Sequence, residues 1–183
     1  LPTPVAHWVF NDAADIGRDC GPNGYTLVAA REKEPTVGTD ARCYGQALYT
    51  TGAMKLEGGC PAAIPTGAKP FTVSLRYRMH KGAGEHTSLV AWGTPTANKY
   101  FQIGVVGSPR TTAFYGTSGL TSTTLRFTDG GQAAPDSDGG WTHVVATYDP
   151  QTQKLIGYRD GALVGESGKI ALDLGSDNFY VGY

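Results

Sequence analysis

The chain is poor in charge, in cysteine and in long apolar runs, and each shortage narrows what it does. Charged residues make up 17% of the 183 positions, against about a quarter in an ordinary soluble domain. Lys and Arg number 15 against 16 Asp and Glu, a formal net charge of -1. A balanced chain without long like-charge blocks has no electrostatic footprint for nucleic acid. No stretch reaches the roughly 18 apolar residues of a membrane span, so direct membrane insertion is not expected. No amphipathic helix of three turns is legible, no linker divides the chain, and no repeat of a solenoid or propeller recurs. The three cysteines, Cys20, Cys43 and Cys60, form no C-x-x-C pair, which argues against structural zinc. Neither G-x-S-x-G nor H-E-x-x-H occurs, so the sequence shows no recognisable catalytic apparatus of those two kinds.

What the chain has in excess is glycine, 26 residues, spread between short β-rich runs. Many short strands joined by glycine-containing turns describe an all-β sandwich or barrel. Phe71 to Met79 alternates, with Phe71, Val73, Leu75, Tyr77 and Met79 on one side and Thr72, Ser74, Arg76 and Arg78 on the other. Period two over that length predicts a strand with one buried and one wetter face. Tyr100 to Val106 repeats the pattern, with Phe101, Ile103 and Val105 opposite Tyr100 and Gln102. Further strands are predicted at Val5–Phe10, Tyr25–Ala29, Thr87–Trp92, Thr111–Tyr115, Thr123–Phe127, Trp141–Tyr148, Lys154–Tyr158, Leu163–Val164 and from Asn178 onward. Gly45–Tyr49 and Ala53–Glu57 read as a hairpin around Gly52. Pairing Tyr49 with Ala53 carries Cys43 to Gly59, beside Cys60, about the 6 Å Cα separation that a disulfide needs. A Cys43–Cys60 bridge is one reading; Cys20 pairing with either is the other.

The last quarter carries the most specific signal. Trp141-Thr142-His143-Val144-Val145-Ala146-Thr147-Tyr148-Asp149, followed by Lys154-Leu155-Ile156-Gly157-Tyr158-Arg159-Asp160-Gly161, resembles a segment of laminin-G-like, concanavalin A-like jelly rolls. His7-Trp8-Val9-Phe10-Asn11-Asp12, Asp19 through Leu27, Gly45-Gln46-Ala47-Leu48-Tyr49 and Phe71-Thr72-Val73-Ser74-Leu75 resemble other pieces of that family in the right order. The resemblance implies a single jelly-roll domain over residues 1–183, with two antiparallel sheets packed face to face. A terminal strand common in the family has no counterpart after Tyr183; either the domain stops short of it or another segment completes the sheet. The low charge and turn-rich composition suit an extracellular or cell-surface domain of a larger secreted protein, where one disulfide is expected to persist.

Sugar-cleaving relatives of this fold place alternate carboxylates on one strand to flank a glycosidic bond. Glu32-x-Glu34 has that spacing but abuts Pro35 in a charged loop, so a glycoside hydrolase is the least supported reading. Sugar sites combine aromatic rings with planar polar groups. By alternation, Arg76, Arg78, Tyr100, Gln102 and His143 are candidates, with Trp92, Tyr115 and Asn98 at the rim. The same residues fit the solvated face of an antiparallel sheet. If the family's rim calcium is present, the resemblance assigns it to Asp12 and Asp19, whose oxygen ligands suit that cation; turn stabilisation by both is equally consistent. The expected function is a carbohydrate-binding, lectin-like module. The alternative is a protein-adhesion or structural module whose partner is an extracellular protein or another domain of the parent chain.

Overall fold

The computed structural model describes residues 3–30, 36–40, 45–50, 54–60, 62–79, 86–106, 111–116, 123–126 and 140–182. Among these residues all regular structure is strand: β1 (Val28–Ala29), β2 (Thr36–Asp40), β3 (Gly45–Tyr49), β4 (Leu56–Gly58), β5 (Phe71–Tyr77), β6 (His86–Gly93), β7 (Tyr100–Val106), β8 (Thr111–Tyr115), β9 (Thr123–Arg126), β10 (Thr142–Asp149), β11 (Lys154–Arg159), β12 (Ala162–Glu166) and β13 (Asn178–Val181). They form a seven-stranded sheet ordered β1-β4-β13-β6-β7-β8-β9, a four-stranded sheet ordered β12-β11-β10-β5, and a β2-β3 ribbon. Every pairing is antiparallel.

Alternation decides which face each strand buries. On β5, Phe71 and Tyr77 are buried while Thr72, Ser74 and Arg76 are exposed; on β10, Val144, Ala146 and Tyr148 are buried. These side chains meet Trp92, Phe101, Ile103, Val105, Phe114 and Phe179 of the larger sheet in one core. Phe71 sits edge-on to Trp92 and Phe101, with ring centroids 5.0 and 4.8 Å apart, a favoured geometry for aromatic pairs. Tyr77 Oη and Thr112 Oγ1 share a hydrogen bond across the core. The two large sheets therefore form the expected all-β jelly-roll sandwich.

The signature segment is fold chemistry. Tyr148 Oη donates to Ile170 O at 3.0 Å and accepts from Leu172 N at 3.0 Å, tying the 167–174 segment to β10. Asp149 Oδ1 accepts from Gln151 N at 2.9 Å and closes the turn before β11. Asp160 and Gly161 both take positive φ, 49° and 86°, the backbone of a tight type I′ hairpin turn.

Three expectations need correction. Gly45–Tyr49 does not form a hairpin with Ala53–Glu57: β3 pairs with β2, while β4 pairs with β1 and β13. The register that would have carried Cys43 beside Cys60 is therefore absent, and Cys20 and Cys60 are free thiols; Cys43 lies outside the described residues. Val5–Phe10 makes a single bridge, Trp8 to Asp19, in place of a ladder. Phe10 adopts φ 53°, which breaks extended backbone. The segment is held by side chains instead, Trp8 Nε1 donating to Tyr25 O at 2.9 Å.

Candidate functional site

The sequence-derived site residues divide between opposite faces of the sandwich. Arg76 and His143 are direct neighbours across β5 and β10 on the outer face of the four-stranded sheet, and Arg78 follows with the same alternation. His143 Nε2 lies 2.8 Å from Ser74 Oγ, and its backbone N–H donates to Asp160 Oδ1 at 2.9 Å. Tyr100 and Gln102 project from β7 on the outer face of the seven-stranded sheet, a core thickness away. Asn98 sits exposed in the loop between β6 and β7, with φ 61°.

Trp92 is corrected outright. It is 1% exposed, donates Nε1 to Pro65 O at 3.0 Å and stacks among Phe71, Phe101 and Phe179. It shares the alternation of Val90, not of the outer face. Tyr115 is also no rim residue: it is 1% exposed, packed with Val106 and Ala113.

The calcium expectation meets a poor donor set. Asp19 is buried, and Oδ1 accepts from His7 N and Gly21 N, both at 2.7 Å, while Oδ2 accepts from Tyr25 N at 2.9 Å. Burial alone would raise its pKa, but the three amides hold the carboxyl below its ordinary 3.8. Asp12 Oδ1 accepts from Ala14 N at 2.9 Å, an Asx turn. Each carboxylate thus accepts from its own stretch of backbone, and Asp12 shares its shallow cleft with Asp15 and the Arg18 cation. Among the described residues, no three His, Cys, Asp or Glu side chains converge. Asp12 and Asp19 do not fit a shared calcium site.

Register builds a different patch on the seven-stranded sheet. One row across its outer face runs Glu57, Tyr180, Ala91, Gln102 and Tyr115. The adjacent row runs Asn178, Gly93 and Tyr100. The middle strand, β6, contributes only Ala91 and Gly93, so long side chains flank small ones on both sides. Tyr100, Gln102, Asn178 and Tyr180 are all half-buried, a platform and not a deep pocket. Lys55 Nζ stands 4.2 Å from the Tyr180 ring centroid and 3.0 Å from Glu57 Oε2. The ring is thereby fixed in orientation and the ammonium charge is balanced.

Asn178, Tyr180, Lys55 and Glu57 were missed from the sequence as site residues. The alternation Asn178-Phe179-Tyr180-Val181 was a usable signal, since Phe179 is buried in the core. Their meeting with Tyr100 and Gln102 was not, because it depends on β13 lying beside β6.

A sequence model of the concanavalin A-like lectin/glucanases superfamily matches residues 50–183. None of the curated proteins matches the sequence. Among solved structures, the fold is similar to domain 4 of AbnA, a GH43 extracellular arabinanase from Geobacillus stearothermophilus, in complex with arabinotriose. The two are 18% identical over 97% of this chain and 82% of that one, with a TM-score of 0.67. The carbohydrate-binding module CBM66 from Bacillus subtilis is 13% identical over 85% of this chain and 91% of that one, with a TM-score of 0.49.

Proposed function

The chain belongs to the concanavalin A-like lectin/glucanases superfamily, and from that premise we propose that it is a non-catalytic carbohydrate-binding module of a larger extracellular protein. The observation that carries this reading is the platform on the seven-stranded sheet. Tyr180 and Tyr100 supply rings for the C–H faces of a sugar, and Gln102 and Asn178 supply paired amide donors and acceptors for its hydroxyls. The Lys55 contact orders Tyr180 before any ligand arrives, which lowers the ordering cost of binding. Likeness to an arabinanase domain solved with arabinotriose supports the same class of ligand.

Lys55 faces Glu57 at 3.0 Å, so this platform suits a neutral saccharide better than a uronate or sulfated one. Affinity electrophoresis through gels holding neutral or acidic polysaccharides tests the reading. Retention by at least one neutral polysaccharide is expected, with Tyr180→Ala weakening it about tenfold or more, because a buried ring's contact area is lost. A folded wild-type chain that no polysaccharide retards overturns it. A protein partner whose binding survives excess free sugar would move the assignment to the adhesion alternative.

A further inference from the structure

Asn23-Gly24 is the chain's only Asn-Gly pair; its other asparagines precede Asp12, Lys99 and Phe179. The pair lies in the loop that Asp19 organises, and both residues are exposed. Asn23 Nδ2 donates to Val5 O at 2.7 Å. That bond helps to hold the 5–10 segment, which has no ladder of its own. The segment's other ties are His7 N to Asp19 Oδ1, Trp8 Nε1 to Tyr25 O and Cys20 N to His7 O.

Asparagine is thermolabile, because the backbone nitrogen that follows it can attack its side-chain carbonyl. Gly24 offers that nucleophile without obstruction. Its N–H has no hydrogen-bond acceptor among the described residues. Its φ is 66°, and nothing stands within 4 Å of where a Cβ would be. Asn98 is the internal comparison. It is exposed too, but Lys99 N is tied to Thr96 O at 3.1 Å, and Lys99 carries a side chain.

We propose that Asn23 is a site of spontaneous deamidation, and that its conversion unfastens the 5–10 segment. Gly24 N gives its proton to water and bonds to Asn23 Cγ. The Cγ–Nδ2 bond breaks, and the nitrogen leaves as ammonia with a proton returned from water. The resulting succinimide takes up one water. Opening at one carbonyl gives aspartate; opening at the other gives isoaspartate, whose main chain runs through Cβ and Cγ. The balance is one water in and one ammonia out. Either product puts a carboxylate, which cannot donate, where Nδ2 met Val5 O. Isoaspartate also adds a backbone atom between Gly21 N and Tyr25 N, the amides that Asp19 gathers. None of this depends on the carbohydrate reading.

The test is incubation of the full native chain in warm, mildly alkaline buffer, followed by peptide mapping with mass spectrometry. Asn23 should gain one mass unit and one negative charge while Asn98 is spared. Asn23→Gln, which keeps a donor, should not convert over the same time. Asn23→Asp stands in for the product. It should lower Tm by about 2–4 °C, as expected for one lost hydrogen bond in a chain of this size. Hydrogen exchange should quicken over residues 5–10 in Asn23→Asp and in the aged wild type, while the β10–β11 ladder keeps its protection. No conversion at Asn23, or equal conversion at Asn98, overturns the assignment of the site. Conversion that leaves exchange over residues 5–10 unchanged overturns the unfastening.

Discussion

Asp19 organises the backbone around it with a single carboxylate. Its two oxygens collect amides from residues 7, 21 and 25, so one carboxylate folds a loop that would otherwise bury bare N–H groups. Hydrogen bonds to a charged acceptor are worth about 1.5–3 kcal/mol each. Asp19→Asn cannot replace them all, since its amide nitrogen would face an N–H. A loss of about 2 kcal/mol or more on urea unfolding at pH 7 is expected. The sign with pH follows from the lowered pKa. The charge stabilises above the unfolded value of about 3.9, and that stability drains as pH falls through the lower folded value. The gap between wild type and Asp19→Asn should therefore close below about pH 4; a constant gap would show the carboxylate charge to be irrelevant. The thiols give a second residue-scale test. Burial pushes the Cys60 thiol up to about 11, whereas Cys20 is exposed. Iodoacetamide on the native chain should label Cys20 well before Cys60; peptide mapping by mass spectrometry reads the order.

At the scale of elements, the family signature earns its specificity through strand β10. Val144, Ala146 and Tyr148 fill the core, and the Tyr148 hydroxyl reaches beyond it to hold Ile170 O and Leu172 N. Leu172 is 1% exposed, so its N–H has no water to fall back on. Tyr148→Phe keeps the ring but leaves Leu172 N–H only its tight bond to Ile170 O at 3.1 Å and takes the hydroxyl donor from Ile170 O, and a loss of about 1 kcal/mol is expected. Hydrogen exchange should locate the damage: Leu172 N–H loses protection while the β10–β11 ladder keeps its own. Equal loss across both would mean that the hydroxyl stabilises the sheet generally and not the 167–174 segment. Elements of this kind were legible because alternation and turn chemistry are local. Tyr100–Val106 and Thr111–Tyr115 were read with the bounds of β7 and β8, and Asp160-Gly161 was read as a turn from residue type alone. The Gly45–Tyr49 hairpin failed for the complementary reason. Its partner β2 lies upstream of it, and a glycine between two β-rich runs does not say which neighbour pairs.

At the scale of the molecule, the candidate site was only half legible because it depends on strand order, which no local pattern encodes. Alternation rightly separated Tyr100 and Gln102 from the core, and Arg76 and His143 likewise. It could not tell that these pairs belong to different sheets and face opposite ways. Nor could it place β13, near the end of the chain, between β4 and β6, where it adds Asn178 and Tyr180 to the platform. The two faces therefore make a prediction that neither pair makes alone. If the seven-stranded face binds sugar, Tyr180→Ala and Gln102→Ala should each abolish most retention in polysaccharide gels. Arg76→Ala and His143→Ala should leave it unchanged, provided thermal melts show each variant folded. Because Lys55 is paired with Glu57, raising salt from about 0.05 to 0.5 M, which shortens the screening length severalfold, should barely alter retention. Loss of binding in Arg76→Ala together with strong salt sensitivity would instead put the ligand on the four-stranded face. It would also make that ligand an anion, because guanidinium and imidazole donors recognise charge where stacked tyrosines recognise shape.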